Sequence, residues 1–131
     1  MSNVEEFASA SSEIAKRALA NPQTPRPVGY QLLLMPVKLN EKTSGGIIIP
    51  ETSRSVEDIA GICFYVVDMG SEAYQRQVEK GYEPYCDVGD FVVIHAYTGT
   101  RVDVSGEEYR LVNDDSIKAV VEDPRGVRRA Q

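Results

Sequence analysis

Short runs of apolar residues, separated by turn residues, occupy most of the chain after residue 30. Several of these runs alternate apolar and polar positions, which is typical of half-buried β-strands. Glycine, asparagine, aspartate and serine lie between them, as expected for tight turns. The pattern predicts strands at 30–39, 62–69, 91–96, 101–104, 108–112 and 117–121. An all-β fold, either a small barrel or a sandwich, follows from this spacing.

The first of these runs is apolar on both faces of the predicted strand. Leu32 and Leu34 would lie on one face, and Leu33 on the other. Such a strand is buried on both sides or lies at a subunit interface. Pro36 has no N–H to donate, so it places this strand at a sheet edge or at a bulge.

A helix is predicted for residues 2–20, before the strands begin. Ser2 and Glu5 fit a capping box, and the expected apolar stripe consists of Val4, Phe7, Ile14 and Leu19. The stripe is thin, and such a helix is marginal alone. We therefore expect it to dock on its own barrel, on a neighbouring subunit or on another protein, or else to extend into solvent. Three prolines within 21–27 predict a stiff linker.

Two long polar stretches interrupt the strands. Residues 70–89 contain turn-forming pairs, Gly81-Tyr82 and Glu83-Pro84, and are predicted to form an extended hairpin. Tyr74, Tyr82 and Tyr85 are candidate packing anchors or contact residues of this segment.

The other polar stretch, 40–59, carries the apolar tripeptide Ile47-Ile48-Ile49 between Gly45-Gly46 and Pro50. The glycines permit unusual backbone angles, and the proline prevents a ladder strand from continuing. An isolated apolar tip of this kind is typical of a binding site. The alternative is a short buried strand preceded by a Gly-Gly turn.

Composition limits the classes of function. A chain of 131 residues is long enough for one domain, and its net charge of −6 argues against binding nucleic acid through phosphate contacts. The clustered arginines near the end, at 125–129, are interpreted as a solvated tail. No apolar run reaches the ~18 residues that a membrane span needs, so no membrane partner is expected.

Candidate catalytic or metal-ligating residues are few. His95 is the only histidine and lies in an apolar run, so we interpret it as structural. Cys63 and Cys86 form no CxxC motif. With one histidine and two separated cysteines, the chain offers too few ligands for a structural zinc site and only one candidate base for a catalytic triad. Whether the two cysteines pair is left open, although the missing secretory signal favours a reducing compartment. The acidic pairs at 107–108 and 114–115 are interpreted as solvated turn residues. No enzyme, metal or cofactor is predicted.

Several motifs, taken in order, resemble those of the GroES-type co-chaperonins, the small subunits that cap GroEL-type chaperonin rings. Residues 42–50 resemble the mobile loop of that family, in which two glycines precede an apolar tripeptide. The Val-Gly-Asp sequence at 88–90 and the strand after it resemble a second family motif. Further similar motifs lie at 26–27, 60–70, 107–112 and 115–122.

The resemblance implies a small irregular GroES-like β-barrel at 26–123, with a mobile loop at 40–59 and a roof hairpin at 70–89. An N-terminal helix and linker, 1–25, and a basic tail, 124–131, are additions to the usual family pattern. The resemblance also implies that Tyr97 faces the enclosed cavity. The residues implied to bind the chaperonin are Gly45, Gly46, Ile47, Ile48, Ile49 and Pro50.

The resemblance further implies the partners. They are a GroEL-type chaperonin that itself binds ATP, further copies of this chain in a ring of seven, and an unfolded client protein. The first strand, from Val28, and the last, 117–121, would pair between neighbouring copies. The expected location is the cytoplasm of a bacterium or of a phage-infected host, because a bacteriophage-encoded member fits the divergence.

Two alternatives stay open on the sequence alone. A GroES-like barrel could serve as a structural or assembly protein, for example in a virus particle, attached through the N-terminal helix. The barrel could also belong to the oxidoreductases that contain GroES-like domains, although the chain is too short to include their nucleotide-binding domain.

Overall fold

The computed structural model describes residues 3–37, 61–124, 127 and 130, and only the backbone of residues 3–8. Two helices and six strands account for most of the described chain. They are α1 (Asn3–Ala20), β1 (Gln31–Pro36), β2 (Cys63–Met69), α2 (Gln75–Glu79), β3 (Phe91–Val93), β4 (Thr100–Val104), β5 (Glu107–Asn113), a 3₁₀ turn (Asp114–Ser116) and β6 (Ala119–Val121). All six predicted strands are present, with boundaries that differ by up to three residues.

The strands form one antiparallel sheet in the order β4-β5-β1-β2-β3-β6. β1 is a central strand, and its register with β2 shifts between Leu33 and Leu34. Pro36 is the last residue of β1 and lies beyond Leu34, where pairing with β5 ends. The proline therefore sits at a locally unpaired edge, where its missing N–H removes no ladder hydrogen bond.

The connection between β3 and β4 shows that this sheet is curled. β3 is the fifth strand and β4 the first, so a flat sheet would separate them by about 19 Å at a spacing of ~4.8 Å per strand. Residues 94–99 reach about 25 Å only when fully extended. They are not extended, because the Thr98 N–H donates to the His95 carbonyl over 3.1 Å and Gly99 has a φ of 87°. The sheet must therefore bring its edges together, as in a small barrel.

Apolar side chains pack on both faces of this sheet. The inner cluster consists of Leu32, Leu34, Phe64, Val66, Tyr74, Cys86, Val92, Ile94, Val112 and Ile117. The outer cluster consists of Ala15, Ala18, Leu33, Cys63, Tyr65, Val67, Phe91, Val104 and Tyr109. β1 contributes to both clusters, so its two-sided apolar pattern is explained by burial within a single chain.

α1 covers part of the outer face of the sheet. Ala15 and Ala18 are buried in the outer cluster. Burial raises the pKa of Tyr65 and the Ser12 side chain lowers it, so the Ser12 and Tyr65 side chains interact. The expectation that this helix docks on its own barrel is therefore confirmed. The predicted stripe is wrong in part, since Ile14 and Leu19 are exposed. Small alanines let the helix approach the sheet closely, and Ile14 and Leu19 are left outside.

The segment 70–89 differs from the extended hairpin that the turn motifs predicted. It contains no strand, and its ordered core is the short helix α2. Glutamine, arginine and glutamate in α2 favour a helix, and the sequence lacks the alternation that a strand needs. Gly81, with a φ of 91°, ends the helix, and the Tyr82 N–H donates to the Gln77 carbonyl.

Candidate functional site

The predicted chaperonin-binding residues, Gly45 to Pro50, lie outside the described residues. The described structure does show where the chain leaves and rejoins the sheet around them. The Val37 N–H donates to the Cys63 carbonyl over 3.0 Å. Residues 38–60 are therefore joined to one end of the β1–β2 pair, with their two attachment points side by side.

Tyr97, the other predicted site residue, lies in the connection between β3 and β4. Its side chain is half exposed, and its ring centroid lies 6.4 Å from that of His95. The Tyr97 N–H donates to His95 Nδ1 over 3.4 Å. His95 is itself exposed and follows β3, so its predicted place within a strand is wrong.

Arg110 of β5 lies beneath this connection and was not identified from the sequence. Its Nη1 donates to the Ala96 carbonyl over 2.8 Å and to the Thr98 carbonyl over 2.9 Å. The guanidinium carbon lies 4.8 Å from the centre of the Phe64 ring. Burial lowers the pKa of the guanidinium, and the Glu108 carboxylate, 3.7 Å from Nη2, raises it.

The connection is also fixed at its far end, where Gly99 packs directly on β5. A Cβ at this position would collide with the Leu111 carbonyl oxygen and the Val112 side chain. The positive φ of Gly99 is a further reason why a side chain is disfavoured there. Arg110 and Gly99 together hold the connection against one strand.

The segment 70–89 is anchored by Tyr74, which has a left-handed backbone conformation and a fully buried ring. The Tyr74 N–H donates to Asp114 Oδ2 over 2.8 Å, and the Tyr74 hydroxyl donates to the Asp114 carbonyl over 2.7 Å. Asp114 is buried, so its interpretation as a solvated turn residue is wrong, whereas Asp115 is exposed.

Of the three tyrosines expected to anchor or present this segment, Tyr74 is the anchor. Tyr82 and Tyr85 are exposed, and the Tyr85 ring lies 4.9 Å from that of Tyr74. Arg76 stacks on Tyr30 at 4.9 Å from the ring centre, which ties α2 to the residue before β1. The surface of the segment therefore exposes aromatic side chains on a fixed base.

Cys63 and Cys86 are both free and buried, and they belong to different clusters on opposite faces of the sheet. Burial raises the pKa of both thiols. Within the described ranges, no group of three or more histidine, cysteine, aspartate or glutamate residues is placed to hold a metal ion. In the same part of the chain, no helix is both long and apolar enough to cross a bilayer.

Comparison with known proteins shows one family. The family described as the chaperonin 10 kDa subunit matches residues 24–121. A co-chaperonin GroES from Kosmotoga olearia is 31% identical over 97 residues, which cover 74% of this chain and 96% of the relative. A co-chaperonin GroES from Coprothermobacter proteolyticus is 37% identical over 98 residues, which cover 73% and 93%.

A third relative, the co-chaperonin GroES of Natranaerobius thermophilus, is 33% identical over 97 residues, which cover 74% of this chain and 97% of the relative. The matched region begins after α1, so the N-terminal helix is an addition to the shared barrel. Because the match includes all six strands and nearly the whole length of each relative, this chain belongs to the chaperonin 10 kDa subunit family, the GroES-type co-chaperonins.

Proposed function

We propose that this protein is a co-chaperonin lid, which closes a GroEL-type chaperonin ring over a folding client protein. The observation that carries the proposal is the near-complete coverage of relatives named co-chaperonin GroES. The lid itself is not an enzyme, and ATP is bound by the chaperonin. Its place of action is the cytoplasm of a bacterium or of a phage-infected host.

Within this proposal, residues 40–59 form the mobile loop of a barrel domain at 26–123, and Ile47, Ile48 and Ile49 enter an apolar groove of the chaperonin. Burying each isoleucine contributes roughly 1.5–3 kcal/mol. Ordering the loop costs ~1–2 kcal/mol for each residue that becomes fixed. A single arm therefore binds weakly, and a ring of arms binds by avidity.

The lid would be a ring of seven copies, joined through the edge strand β6 and the exposed segment before β1. β6 pairs with β3 on one side, and Val120 on β6 is exposed. Val28, just before β1, is 74% exposed. Exposed apolar residues on the edge strand β6 favour pairing with another copy, and the exposed Val28 offers a further apolar contact. Tyr97 would face the enclosed chamber, and the segment 70–89 would form the roof.

The test is capture by a purified GroEL-type ring in a co-sedimentation assay, with and without ATP. We expect the protein to sediment with the ring only when nucleotide is present. Ile48→Asp should reduce this capture at least tenfold, because a carboxylate in an apolar groove is strongly disfavoured.

Ser53→Asp is the matched control, since it adds the same charge to the same stretch of sequence outside the tripeptide. Its capture should stay within about twofold of the parent. Undiminished capture of Ile48→Asp, or no nucleotide-dependent capture of the folded parent, would refute the lid function.

A further inference from the structure

We propose that Arg110 is a positioning residue for Tyr97: its buried guanidinium holds the backbone on both sides of Tyr97 and so presents the tyrosine ring in one fixed orientation. The functional part of this inference rests on the proposed lid, since it takes Tyr97 as an aromatic that faces an enclosed client. The structural part does not depend on that function.

The burial of Arg110 requires an explanation. It is the only buried lysine or arginine among the residues whose side chains the structure describes, with 4% of its surface exposed. Removing a cation from water is costly unless its donors are satisfied, and an apolar residue of similar volume often serves stability equally well. Stability alone therefore does not account for arginine at this position, and the contacts that it makes must be considered.

The contacts of Arg110 are directed at one short piece of chain. One nitrogen, Nη1, donates to the carbonyls of Ala96 and Thr98, the two residues that flank Tyr97. The guanidinium carbon lies 4.8 Å from the centre of the Phe64 ring, and Nη2 lies 3.7 Å from the Glu108 carboxylate. Because the carbonyls of the residues before and after Tyr97 accept from the same nitrogen, both ends of this three-residue piece of backbone are held in place.

The Tyr97 ring has no comparable anchor of its own. Half of its surface is exposed, and its ring neighbour His95 is exposed as well. A half-exposed side chain depends on its backbone for its direction. The orientation of Tyr97 is therefore determined by the hydrogen bonds of Arg110 and by the close packing of Gly99 on β5.

The first experiment measures the mobility of residue 97 directly. The chain contains no tryptophan, so Tyr97→Trp introduces a single reporter. In this background Arg110→Met removes both hydrogen bonds and keeps an apolar contact with Phe64. Time-resolved fluorescence anisotropy should then show a nanosecond component of about twofold larger amplitude, and Arg110→Lys should give an intermediate value.

Arg101→Met is the matched control. Arg101 also pairs with Glu108, at 3.1 Å, but it is exposed and has no hydrogen bond to residues 96–98. Its anisotropy decay should equal that of the parent. An unchanged decay in folded Arg110→Met would overturn the proposal. Loss of folding in both Arg110→Met and Arg110→Lys would also overturn it, because Arg110 would then serve the stability of the barrel.

The second experiment tests whether Arg110 acts through Tyr97 in client folding. With a chaperonin and ATP, Arg110→Met and Tyr97→Ala should each reduce the yield of refolded client, by about twofold, without changing capture by the ring. The double variant should be no worse than Tyr97→Ala alone. Additive losses would overturn the functional part. Failure of the parent to be captured would refute the lid and leave the anisotropy result standing.

Discussion

A pair of residues 40 positions apart, Tyr74 and Asp114, fixes the segment 70–89 to the rest of the barrel. The carboxylate of Asp114 accepts from the Tyr74 N–H, and the carbonyl of Asp114 accepts from the Tyr74 hydroxyl. The left-handed backbone of Tyr74 brings both donors to the same residue. Such a conformation costs ~1–3 kcal/mol for a bulky residue, and these two buried hydrogen bonds offset that cost.

Residue identity in the sequence did not reveal these roles. Asp114 and Asp115 are neighbours of the same type, yet one is buried and the other exposed. Both follow the apolar strand β5 in the same turn, so the local sequence pattern does not indicate which of the two aspartates is buried. The difference arises because Tyr74 approaches from a distant segment, and no local pattern encodes that approach. The same holds for Arg110, whose partners belong to a different connection.

Cys63 provides a prediction at this scale, because burial raises the pKa of its thiol from the usual 9.0 to about 11. The unfolded chain loses this proton at lower pH than the folded protein does. The contribution of the Cys63 thiol to the free energy of unfolding is therefore fully present below pH 9 and is lost as the pH rises toward 11. At pH 10 its contribution to the free energy of unfolding should be smaller by about 1.4 kcal/mol.

Urea unfolding at pH 7.5 and pH 10, at one protein concentration, measures this change. Cys63→Ala creates a small cavity whose cost does not depend on pH, so it should be less stable at pH 7.5 but lose less on going to pH 10. Other groups with raised pKa values, such as Cys86, contribute equally to both proteins. The same pH dependence in parent and variant would contradict the prediction.

At the scale of elements, the part of α1 whose side chains are described, 9–20, docks through small residues. Its contacts with the sheet include Ala15, Ala18 and the interaction between the Ser12 and Tyr65 side chains. Hydrophobic periodicity gives most weight to large side chains, so the prediction selected Ile14 and Leu19, which are exposed. Small residues allow the helix backbone to approach the sheet closely. Whether such an approach is possible depends on the shapes of both the helix and the sheet, so the helix sequence alone does not reveal it.

Ala18→Asp should detach this helix. Ala18 is 8% exposed, and a carboxylate there would lose its hydration without gaining a partner. We expect the helix to leave the sheet, with a loss of about 1–3 kcal/mol in the free energy of unfolding. Limited trypsin digestion, which cleaves after Lys16 and Arg17, should become several-fold faster.

Ala20→Asp is the control for this experiment, because Ala20 is exposed and lies at the same end of α1. It introduces the same charge and should leave both stability and cleavage nearly unchanged. Protection of Lys16 and Arg17 that survives Ala18→Asp would show that the docking in solution does not depend on the alanine face.

The strands were predictable and the segment 70–89 was not, for a physical reason. The strands are marked either by alternating apolar residues, as at Val102 and Val104 of β4, or by a short continuous apolar run, as in β1. The segment 70–89 has no such period, and turn-forming pairs such as Gly81-Tyr82 are compatible with a hairpin or with the end of a helix. The left-handed Tyr74 and its distant partner determine which one forms.

At the scale of the whole molecule, the two edges of the sheet differ in character. β4 exposes Arg101 and Asp103, whereas β6 exposes Ala119 and Val120. Charged residues at an edge oppose pairing with another chain, and small apolar residues permit it. Self-association through β6 is therefore the assembly that this distribution favours.

Val120→Asp should weaken the proposed ring. Val120 is 46% exposed, so the substitution costs little in the isolated chain but places a charge in the proposed contact between copies. Sedimentation velocity at micromolar concentration should show a shift from the oligomer toward single chains. Leu19→Asp, at a site on α1 that is 48% exposed, should leave the oligomer intact. An unshifted oligomer in Val120→Asp would exclude β6 as the contact.

The pairing of β1 has a consequence for the order in which the barrel can form during synthesis. β1 is made early, yet its two neighbours are β2 and β5, and the latter ends at Asn113. Helix α1 is synthesised before the strands, but it can dock only after Tyr65 and Phe91 have been synthesised, because they form part of the face that it covers. A ribosome that has translated only as far as Gly106 therefore carries a chain whose central strand still lacks one of its two partners, and the barrel can close only after β5 has been made.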